Sequence, residues 1–510
     1  MKLRGCRWIQ WLGGSAVLAV LGVAVGGGCR GDFGQFLGGE DFLSTGRTLS
    51  NFVAYQIDPR SEDSAGPQFV VAADLNNDGL MDLVSAWNES QPVQLHLQSR
   101  TAAGNIRFET VILAGSIPTV SVAGLAVADF DNDARADIAV LVKETLLTGA
   151  GCIDAETVEP GLNGSIILYF GPSDSTRVNQ ALAWREVPIG NSFLQGSAGS
   201  ESAPEEGGFT AMVVADVNLD GAPDLVVPWN SNCGTSGTRD VLVFTNNGPV
   251  FSRDGTFAIT RIPDAFPKGA TVKDVALGDI DGDGDLDIVA TFPSAPTMNV
   301  RWYRNPAIDE PDDFHVADRT WQTGMIAQIA TGADAVDLAD FDGDGILDVL
   351  VRSTGGSVLQ WLKGPEGPTT APVRALPWQV YTLAEYTERT PEAIALGDLN
   401  FDGRPEVIAS AEGGLSWFRA NSSADVFDQW REVLIIDDNP GDGAAQGPTT
   451  TDPNVDPQEV AGTSLMNSIV VVDLDGDGSN DLVVTLDRAG LSGLTNDALV
   501  WFRNTTRAPN

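Results

Sequence analysis

The strongest constraint on this chain is a nine-residue pattern that returns seven times. It reads DLNNDGLMD from 74, DFDNDARAD from 129, DVNLDGAPD from 216 and DIDGDGDLD from 279. It continues as DFDGDGILD from 340, DLNFDGRPE from 398 and DLDGDGSND from 473. The start-to-start spacings are 55, 87, 63, 61, 58 and 75 residues. A unit near 60 residues repeated in phase describes an array, in which each unit buries its apolar surface against its neighbours.

The flanks of the pattern repeat as well. A short apolar run such as Val275-Ala276-Leu277 precedes each copy, and an apolar, mostly β-branched stretch such as Ile288-Val289 follows it. A third apolar segment comes next: VQLHLQ at 93, IILYFG at 166, VLVFTN at 241, VRWYRN at 300, VLQWLK at 358, LSWFRA at 415 and LVWFRN at 499. A fourth segment opens on an aromatic residue: FVAYQI at 52, FETVIL at 108, WREVPI at 184, FAITRI at 257, WQTGMI at 321, WQVYTL at 378 and WREVLI at 430. Period-two alternation punctuated by Gly, Pro and Asp predicts strands. Four short strands in each of seven units predict an all-β, seven-bladed β-propeller with four-stranded blades. The segment at 52–57 precedes the first loop, and no fourth segment follows the last unit. The order therefore predicts that 52–57 completes the last blade and closes the ring, leaving no open edge.

Each nine-residue loop lies between the first and second strands of its unit and carries oxygen donors at alternate positions. Position 1 is Asp74, Asp129, Asp216, Asp279, Asp340, Asp398 or Asp473. Position 3 is Asn76, Asp131, Asn218, Asp281, Asp342, Asn400 or Asp475, and position 5 is Asp78, Asp133, Asp220, Asp283, Asp344, Asp402 or Asp477. Position 7, a backbone carbonyl donor, is Leu80, Arg135, Ala222, Asp285, Ile346, Arg404 or Ser479. Position 9 is Asp82, Asp137, Asp224, Asp287, Asp348, Glu406 or Asp481. Ca²⁺ takes six to eight oxygens from a flexible cage, and a glycine at position 6 permits the sharp turn this needs. The alternative reading, that Asp, Asn and Gly merely mark solvated turns, does not account for acids held in one phase through seven copies. The loop from 129 has Ala134 at position 6, and the loop from 398 ends in Glu406, so weaker occupancy is expected in both. A site at ten times its dissociation constant adds ~1.4 kcal/mol to stability, so seven would add ~10 kcal/mol. That makes structural calcium, up to seven ions, the expected role of the loops, with no catalytic residue among them.

Composition narrows the function. With 30 Lys+Arg against 70 Asp+Glu, the net charge is −40. This excludes the basic patch that nucleic acid requires and electrostatic docking on anionic lipid. Hydrophobic residues make up 43% of the chain, enough for a large core. Two histidines, His96 and His315, leave little for histidine-based metal catalysis.

The N-terminus reads as an address. Lys2, Arg4 and Arg7 precede an apolar run from Trp8 to Val25 and the small residues Gly26-Gly27-Gly28 before Cys29. Residues 1–29 are read as an export signal, 30–48 as a tether and 49–505 as the propeller. The segment resembles a bacterial lipoprotein signal, which implies lipidation of Cys29; plain secretion and an uncleaved anchor are the alternatives. Export makes Cys152 and Cys233 a candidate disulfide, against two free thiols. Both fall in second-to-third-strand insertions of adjacent units, which favours the bridge.

Together the loops and strands resemble the FG-GAP and VCBS-type repeats of the integrin alpha-chain propeller and of many bacterial exported proteins. The resemblance covers residues 50–504. It implies calcium loops on one face and ligands met on the other, and its members include adhesion receptors, lectins and propellers of polysaccharide lyases and sugar dehydratases. Long insertions at 142–164, 191–209, 228–239 and 437–464 fall on the face opposite the loops, either as a binding face or as variable decoration. Trp87, Trp229 and Phe292 each stand five residues after a loop's last acid, placed either to stack on sugars or to pack a blade end. The leading expectation is a non-catalytic binding or adhesion module at the cell envelope, with a glycan or protein partner. The alternatives are an exported lyase or dehydratase acting on polysaccharide, and a purely structural envelope component.

Overall fold

The computed structural model describes residues 12–13, 17–18, 52–57, 66–87, 93–113, 121–143, 165–189, 208–230, 239–246, 257–263, 271–293, 295, 299–308, 321–365, 378–386, 390–411, 414–420, 430–437, 466–486 and 498–506. Cys29, Cys152, Cys233, His315 and most of the long insertions lie outside these residues. Leu12–Gly13 and Val17–Leu18 form a two-residue antiparallel ladder. Among the described residues no helix is long and apolar enough to cross a membrane.

The chain folds as an all-β, seven-bladed propeller with four-stranded antiparallel blades. We number the blades by their loops. Blade one runs Pro67–Ala73, Asp82–Trp87, Val93–Arg100 and Ile106–Ile112, and blade two runs Ser121–Ala128, Asp137–Lys143, Ser165–Phe170 and Arg185–Ile189. Blade three has a broken first strand: Gly208–Phe209 and Val213–Ala215 both pair with Asp224–Asn230, followed by Arg239–Asn246 and Phe257–Pro263. Blade four is Asp274–Gly278, Asp287–Thr291, Val300–Arg304 and Gln322–Ala327. Blade five is Ala335–Ala339, Asp348–Ser353, Val358–Lys363 and Gln379–Glu385, and blade six is Pro391–Gly397, Glu406–Ala411, Gly414–Ala420 and Trp430–Asp437. Blade seven is Ile469–Val472, Asp481–Leu486 and Ala498–Asn504, and its outer strand is Phe52–Gln56, in register from Phe52 opposite Asn504 to Gln56 opposite Val500.

Both faces of every blade are covered. Among the described residues, seven apolar clusters alternate with seven blades, one at each junction. Val71, Val84 and Leu95 of blade one meet Leu125, Val140 and Tyr169 of blade two. At the other end of the series, Val470, Val483 and Trp501 of blade seven meet Val70 and Leu83 of blade one. This explains why the second strands read as nearly unbroken apolar runs rather than strict alternations. The antiparallel order puts the seven acidic loops, between first and second strands, on one face. The connections that follow the second strands leave from the opposite face.

Candidate metal centre

One hydrogen-bond scheme shapes all seven acidic loops. The position 1 carboxylate accepts the N–H of position 6 at 2.7–3.0 Å. The position 5 carboxylate accepts the N–H of position 7 at 2.8–3.2 Å. The position 9 carboxylate accepts the N–H of position 2 at 2.7–3.3 Å. Position 2 itself carries a buried apolar side chain in every loop, for example Leu75, Phe130 and Val217. The loop is thereby pinned to the blade core at its second and ninth residues, while positions 1 and 5 stay nearer solvent and position 3 is buried where it is Asp281 or Asp475.

The turn requires two left-handed residues, not one. Position 6 has φ between 64° and 105°, at Ala134 and at the glycines 79, 221, 284, 345, 403 and 478. Position 4 is left-handed as well: Asn77, Asn132, Leu219, Gly282, Gly343, Phe401 and Gly476 have φ between 55° and 78°. A Cβ in this region costs roughly 1–2 kcal/mol. Ala134, Leu219 and Phe401 bear that cost without the local hydrogen bonding that lets Asn tolerate it. Sequence reasoning found the position 6 requirement through its glycine but missed position 4, where the residue types vary.

The position 9 acids, at 2% exposure or less, are the buried anchor of each site. Burial pushes Asp82 and Asp348 up to about 7 and Asp137, Asp224, Asp287, Glu406 and Asp481 up to about 8, although backbone N–H donors pull the other way. In six blades the second oxygen of this acid accepts, at 2.6–2.7 Å, the N–H of a residue at the end of the third strand: Gln98, Gly171, Asn246, Asn305, Gly364 or Asn504. In blade six the corresponding oxygen of Glu406 accepts the side-chain amide of Asn400.

Four of those third-strand residues do a second thing that the sequence reading missed. Their side-chain amides cross to the preceding blade and donate to its position 2 carbonyl. Gln98 reaches Leu474 at 2.8 Å, Asn246 reaches Phe130 at 2.8 Å, Asn305 reaches Val217 at 2.8 Å and Asn504 reaches Leu399 at 2.9 Å. Blades two, five and six carry Gly171, Gly364 and Ala420 there and cannot make the bond. The junction of blades five and six instead holds Phe341, Trp361, Tyr381 and Trp430, with Trp361 stacked on Tyr381 at 4.8 Å between ring centres. The recurring Gln or Asn at the end of the third segment was the available signal.

The donor set fits a hard divalent cation. It is oxygen-only, and hard cations take carboxylate, amide and carbonyl oxygens. Among the described residues, three carboxylates bring oxygens within 4.8 Å of one another in four loops: Asp129, Asp131 and Asp137; Asp279, Asp281 and Asp287; Asp340, Asp342 and Asp344; Asp473, Asp475 and Asp481. These are the four loops with Asp at position 3. The loops with Asn76, Asn218 and Asn400 offer an amide oxygen there.

The three aromatic residues singled out on the opposite face are not presented alike. Trp87 and Phe292 are fully buried. The Trp87 indole donates to Ser85 Oγ at 2.7 Å, and Phe292 packs in the core between blades three and four. Both faces of a second strand are covered, so neither ring offers a stacking surface, which corrects the sugar-stacking expectation at those two positions. Trp229 is half-buried against the core between blades two and three. His96 is also buried, between Ser85 Oγ at 2.8 Å and Thr110 Oγ1 at 3.2 Å, and burial pushes its pKa down to about 3.

Comparison with known proteins agrees with the repeat. The FG-GAP-like repeat family matches residues 74–140, 233–290 and 340–409. No curated protein matches. Among solved structures, BBS1N in complex with ARL6DN is similar at 13% identity and a TM-score of 0.47, over 90% of this chain and 98% of that one. The rhamnogalacturonan lyase PL11 of Bacillus licheniformis is similar at 13% identity and a TM-score of 0.38, over 90% of this chain and 76% of that one. YCF48 from Cyanidioschyzon merolae is similar at 11% identity and a TM-score of 0.42, over 88% of this chain and 98% of that one. At such identities and scores none of these likenesses bears on what the chain does. The seven phased loops, the seven blades they join and the family match together make this chain an FG-GAP-repeat β-propeller protein.

Proposed function

We propose that this protein is a non-catalytic binding module of the cell envelope. Calcium in the acidic loops stabilises its propeller, and a glycan or protein partner meets the opposite face. The observation that carries the calcium reading is the shared hydrogen-bond scheme, in which the carboxylates at positions 1, 5 and 9 hold the N–H groups of positions 6, 7 and 2 in seven loops of different sequence. Burying the position 9 acid is costly unless a cation compensates it, and a divalent ion would supply that charge. The ion would tie the first two strands of each blade together at one end. The binding reading follows from the division of labour between faces: one is committed to the acidic loops, and the other carries the long insertions at 142–164, 191–209, 228–239 and 437–464. Residues 1–29 export the chain, with Cys29 as the residue a lipid anchor modifies, and Cys152 and Cys233 join neighbouring insertions.

The decisive experiment has two arms on the mature chain. Calorimetric titration with Ca²⁺, paired with melting in chelator, is expected to give several equivalents bound and a large fall in Tm on chelation. An unchanged Tm and no heat of binding would remove calcium from the account. A glycan array probed with the calcium-loaded protein is expected to give a defined sugar class. Turnover of that sugar would replace the binding reading by an enzymatic one, and no binding to any sugar would leave the protein partner.

A further inference from the structure

In three loops a third-strand cation bridges two carboxylates. Arg304, the last residue of the third strand of blade four, donates from Nε to Asp281 Oδ2 at 2.6 Å and from Nη2 to Asp283 Oδ2 at 2.7 Å. Lys363 of blade five takes the same place, pairing with Asp342 and donating to Asp344 Oδ2 at 2.9 Å. Arg503 of blade seven forms a close ion pair with Asp475 and donates to Asp477 Oδ2 at 3.0 Å. In each loop the cation bridges positions 3 and 5. At position 5 the Oδ1 atom is already bound to the loop backbone, so the cation takes the oxygen the loop leaves outward.

The pairing follows the loop sequence. These three loops alone read DxDGDG, with Asp at position 3 and Gly at position 4. Where position 3 is Asn, the acid that needs neutralising is gone. Asn218 then does the cation's work from within the loop, donating from Nδ2 to Asp220 Oδ2 at 3.1 Å. The third-strand residue equivalent to Arg304 is Leu97 in blade one and Thr245 in blade three. Blade six keeps an arginine there, Arg419, but its position 3 is Asn400. Blade two has Asp131 with Phe170 at the strand position, and Arg135 of the loop itself pairs with Asp133.

We propose that Arg304, Lys363 and Arg503 are tethered stand-ins for a divalent cation, which calcium must displace from loops four, five and seven. The seven loops then form two classes of metal site, and the loops richest in acid are not the tightest. This rests on the calcium reading above. A bound ion and a bridging guanidinium compete for the same two Oδ2 atoms, so each lowers the other's hold. Removing the side-chain charge while keeping its apolar stem separates them.

The test compares the mature wild-type chain with Arg304→Met, Lys363→Met and Arg503→Met, singly and combined, and with Arg419→Met. Calcium titration is read by calorimetry, and Tm is read in chelator and in saturating calcium. We expect each of the first three variants to tighten one calcium equivalent by ~tenfold. Tm is expected to fall in chelator and to stay unchanged in saturating calcium. Arg419→Met removes the same charge from the same strand position and is expected to leave affinity within ~twofold. Equal tightening by Arg419→Met would reduce the effect to general electrostatics and overturn the proposal. So would a Tm loss that is the same with and without calcium, since the cations would then act beside the ion rather than in its place. The single variants keep the test open if the combined one does not fold. A wild-type chain that binds no calcium would end the parent reading as well, whereas normal wild-type binding with unaltered variants would end this one alone.

Discussion

Loops six and seven are neighbours on one face of the ring, and they solve the same turn in different ways. Loop seven has acids at positions 1, 3, 5 and 9 and glycine at both left-handed positions, Gly476 and Gly478. Its ninth residue, Asp481, accepts from Leu474 N, Asn504 N and Trp501 Nε1. Asn504 then reaches on to blade six. Loop six has Asn400 at position 3, Phe401 at a φ of 65° and Glu406 at position 9. The Glu406 carboxylate accepts from Leu399 N, as in every loop, and on its other oxygen from the Asn400 side-chain amide. Loop seven adds to its own carboxylate bonds a hold from the strand beside it, whereas loop six gives the corresponding oxygen of its ninth residue to a side chain of the loop itself. A cage held from outside keeps its oxygens in place whether or not an ion fills it. One held from inside spends an oxygen to keep its shape.

The largest expected effect comes from Asp481→Ala. It strands three donors in a buried site and is expected to cost about 3 kcal/mol in chelator, against about 2 kcal/mol for Glu406→Ala, both by urea denaturation. Equal losses would erase the distinction between the two loops. Next, Asn504→Leu leaves the Leu399 and Asn480 carbonyls without their amide donor and is expected to cost about 2 kcal/mol. The reverse construction sharpens the comparison. Ala420→Asn places an amide where blade six lacks one, opposite the Phe341 carbonyl of blade five, and a gain of up to ~1 kcal/mol is expected. A loss there would mean that the aromatic cluster at that junction leaves no room for the bond. Smallest is the backbone pair: Gly476→Ala is expected to cost about 1 kcal/mol and Leu219→Gly to gain up to about 1 kcal/mol, since Leu219 is 48% exposed and left-handed. Matching signs for the two would remove the left-handed requirement at position 4.

Much of this was legible in the residues because the repeat is local. The acid that ends a loop and the third-strand residue it holds are 16 to 34 positions apart, so phase and period carry blade number, strand order and the acidic positions. The inter-blade amides were not legible by the same route. Gln98 and Leu474 are 376 positions apart, and Asn504 and Leu399 are 105 apart, so only the assembled ring brings them together. Position 4 escaped because Asn, Leu, Phe and Gly share no side-chain chemistry, only a backbone angle. The choice left open for Trp87 and Phe292, sugar stacking or blade-end packing, needed the structure, because a strand covered on both sides has no wet face for alternation to reveal.

The four third-strand amides all point one way, back to the preceding blade. Each is a side chain reaching back to a main-chain carbonyl, and every sequence supplies the carbonyl. Each of those four blades therefore carries its own fastener, and this bond asks nothing particular of the side chains of the blade it joins. Such a part can be copied, inserted or exchanged without rewriting its neighbour. An array assembled from such parts grows by duplication more readily than one in which both sides of each joint must change together.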